Sequence, residues 1–404
     1  MIPGRDAPQD PSSGTGPDHP KTLVILGATG SIGRSTAEIL KLHPEAFAVA
    51  AVAGGRDGEA LARTAVALRA RFAALADPAG LAALKAALAG TGIECAAGPA
   101  AVEEAARRPC DLVIGAIAGT AGIRPTFAAI EAGRTIALAN KETLVCAGAA
   151  VMAAAERHGA TLLPLDSEHN AIFQALGDAD WGSIERMTLT ASGGPFRDWP
   201  AARIAAATLD EALAHPNWAM GPKVTIDSAG LINKGLELIE AHHLFGVPAD
   251  RLDVVVHPQS VVHGLVSFAD GSVTAGLALP DMRVPIAHCL TYPRRIESGA
   301  RKLDLAAVGS LTFEKPDLGR FPGLRVAMAA LAAGGGLPTV FNAANEVAVE
   351  AFVGRRIGFS DIVRIVERVC QEANSHGEAA TPAGIDDALA VDHVARERAA
   401  ALLH

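Results

Sequence analysis

Up to residue 165 the chain alternates short apolar runs with amphipathic stretches. The runs at 23–26, 47–53, 72–76, 111–117, 135–139 and 161–165 are strand-length and rich in Val, Ile, Leu and Ala. The stretches at 31–40, 60–68, 79–89, 102–108, 125–132 and 151–158 carry helical spacing instead. Strands separated by helices predict a mostly parallel sheet covered on both faces. After 165 the rhythm changes. A helical run at 171–176 is followed by extended segments at 181–191, 224–227, 254–263, 264–268 and 272–279, with a helix ending near His243. These predict an α+β region whose sheet has helices mostly on one side. The stretch 292–318, broken by Pro293 and Pro316, reads as a linker, and 324–333, 339–355, 360–372 and 382–398 read as a small helical bundle.

Composition narrows the class. A chain of 404 residues, half of it apolar and 20% charged, is an enzyme-sized globular protein of two or three domains. Its formal charge of −9 argues against a nucleic-acid partner, and no apolar run reaches membrane-spanning length. The five cysteines have no ligand-like spacing and read as reduced, mostly buried thiols of a cytoplasmic protein. Residues 1–20 are polar, without the apolar core of a signal peptide, and are expected to form a disordered or mobile tail.

The chemistry begins at Gly27-Ala28-Thr29-Gly30-Ser31-Ile32-Gly33, set between the first strand and the first helix. Glycines there permit a tight turn, a close backbone approach and a free helix N-terminus for a pyrophosphate. The second strand ends in Gly54-Gly55-Arg56, where a guanidinium favours a 2′-phosphate and hence NADP(H), with Asp57 as a competing NAD-type carboxylate. Asn140, Lys141 and Glu142 stand at the end of a later strand, and Lys141 is an active-site candidate.

Asp166-Ser167-Glu168 follows the strand 161–165, and on extended backbone its two carboxylates point the same way, a candidate hard-cation site. The competing reading is a helix N-terminus capped by Asp166 or Ser167 with Glu168 in the first turn. Ser192-Gly193-Gly194 offers a hydroxyl and exposed N–H groups for a phosphate. His215-Pro216-Asn217-Trp218 lies on a Pro- and Gly-bounded loop that suits a mobile cover. Asn233 and Glu237 share one helix face, Lys234 is adjacent, and Ser228 precedes them. Glu237 supplies the third carboxylate a divalent ion needs. His257 and His263 are read as structural, and Asn342, Asn345 and Glu346 have no evident role.

Taken together and in order, these motifs, with His257-Pro258-Gln259-Ser260 and Pro280-Asp281-Met282-Arg283, resemble the 1-deoxy-D-xylulose 5-phosphate reductoisomerases. The resemblance runs from about residue 22 to the final helices. Departures are Ala28, Gly230, Ile232, Gly264 and the displaced Arg56.

The resemblance implies an α/β subunit of V shape that works as a homodimer. An NADPH-binding Rossmann-like domain would span 21–165 and a catalytic and dimerisation domain 166–291, with a flap near 215–222. A linker at 292–323 and a C-terminal helical domain at 324–404 would complete it. It implies that Asp166, Glu168 and Glu237 hold one divalent ion, Mg, Mn or Co. Ser192, Asn233 and Lys234 would hold the phosphate of a small phosphorylated ketose, with Ser228 and His215 helping. Lys141, Ser167 and the metal ligands Glu168 and Glu237 would meet the rest of the substrate under Trp218, while Gly221 and Met282 join the nucleotide contacts. The implied reaction is metal-dependent rearrangement, by a retro-aldol/aldol or α-ketol route. Reduction by NADPH to 2-C-methyl-D-erythritol 4-phosphate follows, the committing step of the non-mevalonate isoprenoid route. Rival readings are a metal-independent NADP dehydrogenase and a non-catalytic nucleotide sensor.

Overall fold

The computed structural model describes residues 19–218, 220–377 and 379–403. Most of the expected N-terminal tail, residues 1–18, therefore lies outside the described residues, as does Ala219 of the expected flap. The chain divides into two compact units. The first runs to Thr143 and adds Val151–Asn170 and Asp281–Arg301; the second takes Leu144–Ala150, Ala171–Pro280 and the chain from Lys302.

The first unit is built on a seven-stranded sheet. In chain order the strands are β1 (Lys21–Leu26), β2 (Phe47–Gly54), β3 (Phe72–Leu75), β4 (Glu94–Ala97), β5 (Leu112–Gly115), β6 (Thr135–Leu138) and β7 (Thr161–Pro164). Their spatial order is β4-β3-β2-β1-β5-β6-β7, and every pairing is parallel. The strands are nearly uniform Val, Ile, Leu and Ala because helices cover both faces. Strand order reverses between β1 and β5, so the crevice beyond their carboxyl ends is where a nucleotide belongs in such a sheet.

The second unit carries a four-stranded mixed sheet, β8 (Ile184–Ala191), β9 (Leu252–Val256), β10 (Val262–Phe268) and β11 (Val273–Leu277), in the order β11-β10-β8-β9. Helices Pro322–Ala333, Leu337–Val353, Phe359–Ser375 and Ile385–Ala401 form the expected bundle. Phe359, Ile362, Ile365, Val366, Val369 and Ala373 make the buried stripe of one of them, and Leu337–Val353 is buried on nearly every side. Among the described residues no helix is long and apolar enough to cross a membrane, and all five cysteines are free.

Two local expectations are corrected. Residues 224–227 are not a strand but part of the helix Pro222–Ala229, which buries Thr225, Ile226, Asp227 and Ala229. Gly221 followed by Pro222 at the first helical position starts that helix, and the Thr225 hydroxyl bonds back to the Gly221 carbonyl at 2.9 Å. Glu168 is likewise not on extended backbone, because the helix Ser167–Leu176 begins immediately after Asp166.

Candidate functional site

In the first unit the loop after β1 is shaped by what its glycines allow. Gly27 has φ +82, and a Cβ there would lie 2.3 Å from the Ala116 carbonyl oxygen. A Cβ on Gly33 would meet the backbone of Ala28 at the same distance, so the helix Ser31–Leu42 packs against the loop only because Gly33 has no side chain. Gly30 precedes that helix, and no side chain caps it. Its first N–H groups, beside Thr29, Ser31 and Ile32, lack intrahelical acceptors, as at any helix N-terminus, and so are donors suited to an anion.

At the end of β2, Asp57 accepts from the Ala60 amide at 2.9 Å and caps the helix Gly58–Ala67. Its carboxylate is committed to the backbone, which leaves the exposed Arg56, after Gly54 and Gly55, as the charged group at the strand end.

Asn140 is buried. Its amide donates to the carbonyls of Ile117 (2.7 Å) and Gly119 (2.9 Å) and to Glu142 Oε2 (2.9 Å), and its carbonyl accepts from the Thr143 amide (3.0 Å). The side chain ties the loops after β5 and β6 together and starts the helix Glu142–His158.

The adjacent Lys141 reaches across to Asp166, with Nζ 3.3 Å from Oδ2. Asp166 Oδ1 accepts from the Glu168 amide at 3.2 Å, so one oxygen of this carboxylate caps the helix Ser167–Leu176 while the other faces the Lys141 ammonium. Capping and cation binding, opposed in the sequence reading, are compatible uses of its two oxygens. The Ser167 hydroxyl donates to Glu168 Oε2.

Two residues that sequence reasoning passed over support this segment. His169, fully buried, places Nδ1 3.3 Å from Asp166 Oδ1. Asn170 donates to the Pro164 carbonyl (2.8 Å) and lies 3.0 Å from His288 Nδ1. Burial pushes His288 down to about 4, so its ring is neutral near pH 7 and Nδ1 is free to accept from Asn170. The i+3 offset of His169 from Asp166 was the available signal; nothing in the sequence announces the contact with His288. Met282 stands at the N-cap position of the helix Arg283–Thr291 in this same unit, without a side-chain capping bond.

In the second unit Ser192 leaves the end of β8. Its Oγ is 3.1 Å from His215 Nε2 and accepts from the Gly194 amide at 3.1 Å. The Asn217 and Trp218 amides both donate to His215 Nδ1, at 3.2 and 3.0 Å. Nδ1 must then be unprotonated, and Nε2–H donates to Ser192. Burial lowers the His215 pKa, in keeping with a neutral ring. Ser192 accepts both of these bonds and retains its own proton to donate to an anion. Asn217 also donates to the Pro258 carbonyl (2.8 Å) and Ser260 Oγ (2.9 Å), and Trp218 meets the His263 ring edge-on with centroids 6.0 Å apart.

The helix Pro222–Ala229 carries Ser228. Gly230 closes it, and Leu231 at φ 57 turns the chain into the helix Ile232–Phe245, where Asn233 and Lys234 both donate to Glu237. Asn233 does so at the predicted i,i+4 spacing and Lys234 at i,i+3. Lys234 and Glu237 are both almost fully buried, a charge pair held out of water beside an amide donor. Gly221 is the residue before the Ser228 helix.

The comparisons with known proteins agree along the chain. Residues 23–148 match the 1-deoxy-D-xylulose 5-phosphate reductoisomerase family, 162–245 its C-terminal domain, and 277–398 the DXP reductoisomerase C-terminal domain. The 1-deoxy-D-xylulose 5-phosphate reductoisomerase of Bradyrhizobium sp. (strain ORS 278) is 55% identical over 95% of this chain and 94% of its own. That of Rhodopseudomonas palustris (strain BisB18) is 56% identical with the same coverage. Among solved structures, the reductoisomerase from Zymomonas mobilis in complex with NADPH superposes with a TM-score of 0.89 at 46% identity, covering 95% of this chain and 99% of that one. A DOX-P reductoisomerase in complex with NADPH, fosmidomycin and magnesium gives 0.90 at 42% identity, covering 95% and 98%. Sequence and fold therefore converge, and the chain belongs to the 1-deoxy-D-xylulose 5-phosphate reductoisomerase family.

Proposed function

We infer that this protein rearranges 1-deoxy-D-xylulose 5-phosphate and reduces the product with NADPH to 2-C-methyl-D-erythritol 4-phosphate, using one divalent cation. The observation that carries the reading is agreement over nearly the whole chain with relatives named for this activity. The residues fit both groups. Asp166, Glu168 and Glu237 are an all-oxygen, anionic donor set suited to Mg, Mn or Co. The Gly27–Gly33 turn, where a Cβ on Gly27 or Gly33 would strike backbone, offers close main-chain approach to a nucleotide, with Gly54, Gly55 and the Arg56 guanidinium at the end of the next strand. We assign NADPH to that turn and, from the family resemblance, Asn140, Glu142, Gly221 and Met282 to its contacts.

When bound, the cation supplies Lewis-acid polarisation of substrate oxygens and NADPH supplies the hydride. The protein does the rest. Lys141 steadies Asp166 and presents an ammonium where oxyanion charge develops, and Ser167 orients Glu168. Ser192, whose Oγ accepts two hydrogen bonds, donates a hydrogen bond to the substrate phosphate; Asn233, Lys234 and Ser228 hold the same group, with His215 fixing Ser192. Trp218, on the loop 215–222, covers the substrate and excludes water. Binding the non-reacting phosphate contributes energy for alignment of the reacting carbons. Residues 21–165 serve as the nucleotide domain, 166–291 as the catalytic and dimerisation domain and 324–404 as a helical domain joined by 292–323. The working species is a cytoplasmic homodimer.

The test is NADPH absorbance on addition of 1-deoxy-D-xylulose 5-phosphate, with and without metal. Loss of absorbance that EDTA stops and excess magnesium restores is expected. Turnover indifferent to EDTA would sink the metal assignment and favour a plain dehydrogenase.

A further inference from the structure

Asn342, Asn345 and Glu346 of the helix Leu337–Val353 play no part in the site described so far. Asn342 and Asn345 are fully buried on a helix otherwise lined by Phe341, Ala344 and Ala348. An amide in such surroundings costs stability unless it is bonded. Asn345 Nδ2 donates to Asp227 Oδ1 at 2.9 Å, across 118 residues of chain. Asp227 is 1% exposed, and its other oxygen lies 2.8 Å from Lys223 Nζ. Flipping the Asn345 amide would set its carbonyl against a carboxylate, so the network fixes its orientation. In that orientation Asn345 Oδ1 is buried and finds no hydrogen-bond partner among the described residues. A half-satisfied amide is a poor source of stability, and its service is geometric.

The geometry leads to the phosphate site. Asp227 immediately precedes Ser228, and Lys223 follows Gly221 and Pro222, where the loop 215–222 joins its helix. The Ser192 loop leans on the same turn, since a Cβ on Gly194 would lie 2.8 Å from the Ser228 carbonyl oxygen. Beyond Gly230 the left-handed Leu231 leads into Asn233 and Lys234. Any shift of the Ser228 turn therefore moves neighbours on both sides.

We propose that Asn345, acting through Asp227, is a positioning residue for Ser228, so that the C-terminal helices set the geometry of the site receiving the substrate's phosphate. The proposal rests on the assignment of Ser228 to that phosphate. It is tested in the full-length, metal-loaded enzyme by a cycle of Asn345→Ala, Ser228→Ala and the double variant, measuring kcat and KM for substrate and for NADPH. Each single change is expected to raise the substrate KM about tenfold, the scale of one charge-assisted hydrogen bond, with the NADPH KM unmoved. The double variant should stay within about twofold of Ser228→Ala, because both act through one contact. Effects that multiply to about a hundredfold, or an inert Asn345→Ala beside an affected Ser228→Ala, overturn the proposal. An inert Ser228→Ala overturns instead the phosphate assignment beneath it. If Asn345→Ala does not fold, Asn345→Leu, which keeps the volume and removes the donor, enters the same cycle under the same criteria.

Discussion

Adding one methyl group at Gly33 tests the nucleotide loop with little chemical change. The new Cβ would sit 2.3, 2.5 and 2.6 Å from the carbonyl oxygen, carbonyl carbon and Cα of Ala28, all backbone atoms. Carbon–oxygen contacts settle nearer 3.4 Å, so helix Ser31–Leu42 must withdraw from the loop by about 1 Å. Overpacking of this kind costs about 1–3 kcal/mol. The withdrawn part is the helix N-terminus, whose uncapped amides are to meet the pyrophosphate, so the same shift weakens cofactor binding. A displacement of about 1 Å in two or three such hydrogen bonds is worth at least a tenfold rise in the NADPH Kd. Fluorescence titration with NADPH reads the affinity, and thermal unfolding without ligand reads the packing cost. Gly384→Ala is the control, because a Cβ there meets nothing within 4 Å and the residue is outside the nucleotide loop. Gly33→Ala with wild-type affinity and melting temperature would show that the loop is not the cradle inferred here.

Two other expectations follow from the site. Glu237→Gln keeps the size of the side chain but removes the charge that Lys234 and Asn233 hold in place; kcat should drop by about a hundredfold or more while NADPH affinity stays near wild type, and a near-normal rate refutes the ligand assignment. His288 and His243 are each pushed down to about 4 by burial, so below pH 6.5 the unfolded chain binds protons that the folded chain refuses. Stability is then complete above about pH 6.5 and declines as pH falls towards 4, by roughly 3 kcal/mol for each ring at the lower end. Urea unfolding of wild type and His288→Gln at pH 7 and pH 4.5 checks this. The variant should show the shallower loss, and parallel declines would contradict it.

What the sequence disclosed and what it concealed divide by the range of the forces involved. Parallel strands buried on both faces must be apolar throughout, so six of the seven strands in the large sheet were visible as runs; β4, half-exposed Glu94-Cys95-Ala96-Ala97, gave no such signal. The glycine loop was legible because backbone contact dictates glycine at Gly27 and Gly33 whatever surrounds them. The i,i+4 bond from Asn233 to Glu237 was legible for a similar reason, since helix geometry alone brings the pair together.

Local ambiguity explains the misreadings. Asp166-Ser167-Glu168 satisfies the rules for a helix start as well as those for a carboxylate pair, and only the structure, with the Glu168 amide bonded to Asp166 Oδ1, shows that the helix starts there. Val224-Thr225-Ile226 has the alternation of a strand, and the Gly221-Pro222 start that overrides it stood outside the window. Partners distant in sequence were beyond reach altogether. Asn170 meets His288, and Asn345 meets Asp227, through tertiary packing that no spacing rule encodes. Those distant partners stand one step behind the candidate ligands: Asn170 two residues after Glu168, Asp227 one before Ser228. The groups proposed to touch substrate were thus readable as motifs, while the groups that hold them still were not, because their work is done by contact across the fold.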